Sequence, residues 1–169
     1  DYTGFEIEPS IRLQRNLTDR QMVWGAVSRA VRTPSRVDRD LQQPTGLPAG
    51  FPQSILTGSS DFESETVVAY ELGYRAQFES RGSLSLSAFY NDYDRIRSIT
   101  PGPIPPPDFG LPLLFHNDIA GETHGVELSG MWNVREGWRL QLGYDLLQEH
   151  LHVKAGRTDF SNALNEVAD

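Results

Sequence analysis

Apolar and polar residues alternate one for one over stretches of ten or more positions, and a period of two specifies extended strands with one oily face and rules out helices. Residues 66–79 show this best, with Val68, Tyr70, Leu72, Tyr74, Ala76 and Phe78 on one side and Glu71, Gly73, Arg75 and Gln77 on the other. Residues 5–14 repeat it, Phe5, Ile7, Pro9, Ile11 and Leu13 opposing Glu6, Glu8, Ser10, Arg12 and Gln14. In residues 83–97, Leu84, Leu86, Ala88 and Tyr90 oppose Ser83, Ser85 and Ser87; residues 123–134 gather Val126, Leu128, Trp132 and Val134. From Trp138 onward, Leu140, Leu142, Tyr144 and Leu146 face away from Arg139, Gln141, Gly143 and Asp145. Residues 21–32 (QMVWGAVSRAVR) form a further strand, but small and apolar residues on both sides leave its faces unassigned.

The connections discriminate among all-β folds. Short turns at 16–19, 80–82 and 135–137 alternate with long links at about 33–64, 98–122 and from 153 onward, so one end of the sheet is trimmed and the other is not. Outer-membrane barrels combine tight periplasmic turns, long extracellular loops and strands that alternate apolar-out with polar-in. A strand of ~11 residues tilted by ~40° climbs ~28 Å, which suits an apolar band of about 25 Å, whereas soluble strands average only ~5 or 6 residues. Trp132 and Trp138 flank one short turn, Phe78 precedes another, and Tyr90 and Tyr93 lie toward the far end of their strand, as two aromatic girdles would require. The fold class expected is all-β: an antiparallel up-and-down meander of about six long strands, part of a larger transmembrane β-barrel.

Composition narrows the functions. No run approaches the ~20 apolar residues of a membrane helix, and the residues from Asp1 carry no export signal. With no cysteine, disulfides and thiolate chemistry are excluded; a net charge of -8 disfavours nucleic acid as a partner. Nucleophile elbows, P-loops, dinucleotide fingerprints and zincin helices are absent, so no catalytic residues are assigned and an enzyme is not expected.

Three stretches resemble the C-terminal barrel region of TonB-dependent outer-membrane receptors. Residues 23–36 (VWGAVSRAVRTPSR) are similar to the family's strand that runs into an Arg and a Pro-containing loop start. Residues 65–93 carry its Glu-x-Gly-hydrophobic-Arg pattern as Glu71, Gly73, Tyr74 and Arg75, then Phe89-Tyr90 and a downstream Tyr93-Asp94. Residues 117–144 resemble its Asn-x-x-x-Gly-x-x-x-Gly-hydrophobic-Glu hairpin through Asn117, Gly121, Gly125, Val126 and Glu127. The resemblance implies a barrel of roughly 22 strands closed by an N-terminal plug domain and powered by the TonB complex, with a small molecule or metal chelate such as a ferric siderophore as substrate. It also implies the bacterial outer membrane as location, with lipid and lipopolysaccharide as neighbours. Residues 1–169 are then a partial barrel domain, because plug, energy-coupling box and closing strands are not among them. Six isolated strands would expose two sheet edges.

Elementary physics agrees with these signatures. Gly73, Gly125 and Gly143 fall inside strands, where a missing side chain permits a bend or a close neighbour. Glu71, Arg75 and Glu127 share the polar faces, and placing Arg or Lys toward lipid at the midplane would cost roughly 2 to 4 kcal/mol.

Candidate ligand-binding residues are Arg29, Arg32 and Arg36 at the mouth of the 33–64 loop, which could attract an anionic chelate by charge and bidentate hydrogen bonding. Contact with lipopolysaccharide phosphates or pairing with Asp38 and Asp40 competes with that role. No metal site is assigned: His150 and His152 share a face with only Glu149 nearby, and His116 and His124 read as surface or lumen residues. No cofactor is expected. The Pro-rich residues 101–112 stiffen an extended loop, and Asp92 and Asp94 serve water or Arg95. A structural or adhesive barrel and a soluble lipocalin-like binder remain alternatives to a transport receptor. A hydrolase is poorly supported, because Ser129 and His124 have opposite parity.

Overall fold

The computed structural model describes residues 4–44, 46, 48, 54–102 and 113–161. Six long strands form one antiparallel meander: β1 (Ser10–Thr18), β2 (Gln21–Arg32), β5 (Glu65–Phe78), β6 (Gly82–Pro101), β7 (Leu113–Arg135) and β8 (Trp138–Val153). Within the link between β2 and β5 lie a helical turn α1 (Arg36–Asp40) and two short strands, β3 (Gln42–Pro44) and β4 (Ser54–Thr57). β4 runs parallel to the start of β7, pairing Leu56 with Leu113 and Thr57 with Leu114. It occupies the edge of β7 beyond the point where β8 stops, at Val153 opposite Ile119. Among the described residues, no helix is long and apolar enough to cross a membrane, a statement that carries no weight for a barrel.

Register fixes both faces. The row Val23, Tyr74, Leu86, Leu128 and Tyr144 runs straight across five strands on the apolar side, with Leu72, Ala88, Val126 and Leu146 one step along. Arg75, Ser85, Ser129 and Gly143 form a row on the opposite, polar side. Directly opposed residues of antiparallel strands share a face, so β2, ambiguous in sequence, is resolved: Val23, Gly25 and Val27 join the apolar side, Trp24, Ala26 and Ser28 the polar one. Among the described residues, nothing covers the apolar side. Leu72 is 65% exposed and Leu142 61%, as in a barrel wall that meets lipid and unlike a self-contained core.

Short turns at 19–20, 79–81 and 136–137 share one end of the sheet. Phe78 and Trp132 meet there at 5.5 Å between ring centres, and Tyr70 and Tyr90 meet at 6.2 Å farther up the same apolar face. Between these aromatic rows the wall climbs roughly 20 Å at ~40° tilt, close to the ~25 Å expected of an apolar band.

Boundaries of three strands differ from expectation. The first strand begins at Ser10, not Phe5, and runs on to Thr18, because Pro9 contributes only its carbonyl, to Arg29, and pairing starts at Ser10 with Ser28. β6 and β7 extend through much of the expected 98–122 loop, pairing Ile99 with Phe115 and Thr100 with Leu114 across a bulge at Arg95 (φ 60°). β7, with 23 residues, would climb roughly 58 Å at that tilt, so the wall stands well above the apolar band. Most of the Pro-rich stretch, residues 103–112, lies outside the described residues.

Candidate functional site at the rim

Above the band the chain builds its one small core among the described residues. Phe62, Phe115 and Ile119 are buried there, together with the carboxylate of Asp38. Ser35 caps α1 in a capping box: its backbone N and hydroxyl donate to Asp38 Oδ2 at 2.9 and 2.8 Å, and the Asp38 N–H returns a bond to the hydroxyl at 3.3 Å. Two arginines from different strands complete the grip, Arg32 at 3.0 Å and Arg97 at 3.3 Å. Burial opposes charge on Asp38, but the hydrogen bonds from Ser35 and Arg32 outweigh it and hold the carboxyl below the usual carboxylate range.

Arg32 also forks onto Glu65, with Nε and Nη2 at 2.6 and 2.7 Å from its two oxygens, and Glu65 accepts the backbone N–H of Arg97 at 2.8 Å. The guanidinium of Arg32 lies 5.8 Å from the Phe62 ring, and that of Arg97 5.1 Å from Phe115. A groove of about 240 Å³ opens beside the fork, lined by Arg32, Glu65, Val67, Tyr93 and Ile96 among others. Asn117 locks the same rim, accepting from Glu63 N at 2.7 Å and donating to the Glu63 and Arg95 carbonyls at 3.1 and 2.7 Å.

The three arginines singled out in the sequence all stand at this end but do not converge. Arg29 has apolar-side parity and is tied to the Ile7 carbonyl and to Glu6. Arg32 stands opposite Glu65 on the polar side, inside the network. Arg36 projects from α1 with an 88% exposed side chain, 3.6 Å from Asp40. The pairings with Asp38 and Asp40 weighed in the sequence are therefore formed. Asp94 engages Lys154 at 2.7 Å and Arg95 at 3.5 Å. Ser129 and His124 occupy opposite faces.

Register brings together a set that linear spacing hides. Glu122 stands opposite His150, and His124 opposite Gln148, on the apolar-parity side level with Tyr90 and just above it. One ligand atom from each of Glu122, His124 and His150 lies within 4.8 Å of the others. Only the pairing of β7 with β8 could have revealed it.

A one-layer antiparallel wall with an uncovered oily face, two aromatic rows and an elaborated rim on one side only defines a transmembrane β-barrel of the receptor class. Residues 2–168 match the family described as TonB dependent receptor-like, beta-barrel, and the chain belongs to that family. No curated protein matches it in sequence. Among solved structures it is similar to the siderophore receptor PirA from Pseudomonas aeruginosa, at 21% identity and TM-score 0.66 over 92% of this chain and 32% of that one. It is also similar to a Q482A mutant of the ferric enterobactin receptor PfeA from the same organism, in complex with enterobactin, at 22% identity and TM-score 0.64 over 88% and 26%. The copper transporter OprC matches at 12% identity and TM-score 0.57 over 82% and 20%. The chain thus spans about a third or less of the length of these structures, which speak for its fold.

Proposed function

We propose that this chain is part of the barrel wall of an outer-membrane importer that takes up a scarce nutrient, with a ferric siderophore or similar anionic metal chelate as substrate. The observation that carries the reading is the rim. Strands that rise far beyond the apolar band carry two arginines, braced by Asp38 and Glu65, on the polar side, which becomes the inner side once the wall closes. Arg36, exposed on α1, makes the first contact with the anion; Arg32 beside the groove receives it, already oriented by Glu65 and Asp38. Arg29 braces the segment before β1. The siderophore receptors among the structural neighbours support this substrate class, and the family supports coupling to TonB through a plug domain in the whole protein.

The test is radio-iron uptake by the full-length gene in a Gram-negative strain stripped of its own siderophore receptors. Uptake from at least one siderophore class is expected, abolished by deleting TonB and reduced in Arg36→Ala. Absence of uptake from every chelate, or uptake indifferent to TonB, would leave a structural or adhesive barrel as the better description.

A further inference from the structure

Along the apolar-parity side, β7 and β8 change character abruptly at one height. Val126, Leu128, Leu142, Tyr144 and Leu146 give way to His124, Glu122, Gln148 and His150. The change falls level with Tyr90, which stands opposite His124, so these groups sit at and just beyond the upper aromatic row, on the face turned away from any transport path.

From this cluster we infer a binding site for a divalent cation of the zinc class, held by His124, His150 and Glu122. Two imidazoles and a carboxylate form a ligand set suited to zinc, with a further position left for water. Zinc–ligand bonds of ~2.1 Å place tetrahedral ligand atoms about 3.4 Å apart, and rotation of Glu122 and the exposed His150 can close the present 4.8 Å spread.

The groups behind the ligands are already oriented. Gln148 Oε1 lies 3.0 Å from His124 Nε2; with the amide oxygen accepting, the ring proton is fixed on Nε2 and the lone pair on Nδ1. That Nδ1 is buried and has no hydrogen-bond partner, an arrangement that costs energy unless something accepts the lone pair. Tyr90 donates its hydroxyl to Glu122 Oε2 at 2.6 Å, which leaves Oε1 as the second oxygen of the carboxylate. The rings of Tyr90, His124 and His150 follow one another at 6.4 and 6.0 Å.

Charge points the same way. Asp92 on β6 stands directly opposite Glu122, and like charges so placed on adjacent strands are destabilising unless a cation lies between or beside them. A bound cation would clamp β7 to β8 and neutralise this pair where the wall leaves the apolar band.

Zinc titration of the chelator-treated full-length receptor in detergent, by calorimetry, tests the site. Binding is expected to weaken at least tenfold in His124→Ala and in His150→Ala, to weaken measurably in Gln148→Leu, which touches zinc only through His124, and to persist in His152→Ala. Magnesium should not compete, because it prefers an all-oxygen shell. Zinc binding unchanged by the two ligand substitutions, or displaced by equimolar magnesium, overturns the proposal. The inference rests on the importer reading only for which face of the wall turns outward. Siderophore uptake that persists in His150→Ala while zinc binding is lost separates the two, and zinc binding in a receptor that imports nothing would sink the importer alone.

Discussion

Asp38, on a five-residue helical turn in the longest described link between strands, accepts a 3.0 Å hydrogen bond from Arg32 at the end of β2, although the Asp38 side chain has no exposure to solvent. Arg97 of β6 reaches the other oxygen at 3.3 Å, so a single carboxylate joins the link to two strands. The backbone closes the link on itself, with Ser59 N donating to the Asp38 carbonyl at 3.0 Å and Gly58 N to that of Leu41 at 2.8 Å.

Replacing Asp38 by Ala should therefore release the link without unfolding the wall. Two arginines would lose a shared acceptor, a local penalty of about 1 to 3 kcal/mol. Limited proteolysis should cut within residues 36–60 much faster in Asp38→Ala, while the temperature at which the barrel unfolds stays unchanged. Equal cleavage in both proteins would mean that the remaining contacts of Phe62 and Asn117 suffice.

The same carboxylate makes the link acid-sensitive, and the sign follows from its lowered pKa. Stabilisation from a depressed carboxyl is complete above the unfolded value, ~3.9, and is lost as pH falls through the folded value, which is lower still. Hydrogen exchange at the amides of Gly58 and Ser59, corrected for intrinsic rates, should show constant protection above about pH 4 and declining protection below it. In Asp38→Asn that acid-dependent decline should disappear.

Much of this wall was legible in residues 66–79 and 138–146, because a half-exposed strand leaves its period of two in the sequence, whichever solvent the apolar side meets. β2 was not, since Trp24 and Ala26 put apolar atoms on the polar side, and only pairing with β5 separates its faces. The upper parts of β6 and β7 escaped for another reason. Phe115 and Ile119 pack into the rim core, so their stretch lacks the simple alternation seen below it, and a bulge at Arg95 breaks the phase. Of the rim, the arginines could be found by position, but their partners came from distant strands. The Glu122, His124 and His150 set depends on a register that no local spacing records.

If the apolar side meets lipid, a charge there should be penalised far more than one residue away. Leu128 lies in the row midway between the aromatic rows, and Ser129 beside it faces the polar side opposite Ser85 and Gly143. Leu128→Arg should cost about 2 to 4 kcal/mol in a urea refolding titration in bilayers, and Ser129→Arg less than about 1 kcal/mol. Similar costs for both would place the polar side out of water and remove the basis for an aqueous interior.

Gly73 is needed because of Trp24. The two are directly paired across β2 and β5, and a Cβ at Gly73 would run into the indole atoms Cε2, Nε1 and Cζ2. The Arg12 guanidinium lies 5.4 Å from the ring centre and itself reaches Glu71 at 3.6 Å, so a displaced indole would also disturb that contact. Gly73→Ala should destabilise by about 1 to 3 kcal/mol through overpacking. Once Trp24 is replaced by Ala the clash disappears, and the same change should become neutral or slightly stabilising, because Gly in a strand costs roughly 0.5 to 1 kcal/mol relative to Ala. The double-mutant cycle, read from refolding midpoints, should then give an interaction of about 1 to 4 kcal/mol between the two sites. Gly143→Ala, where no atom lies within 4 Å of the added Cβ, supplies the control and should be tolerated in either background. A cycle that closes to zero would mean that the glycine serves strand curvature and not the indole, because curvature would be lost equally with or without Trp24.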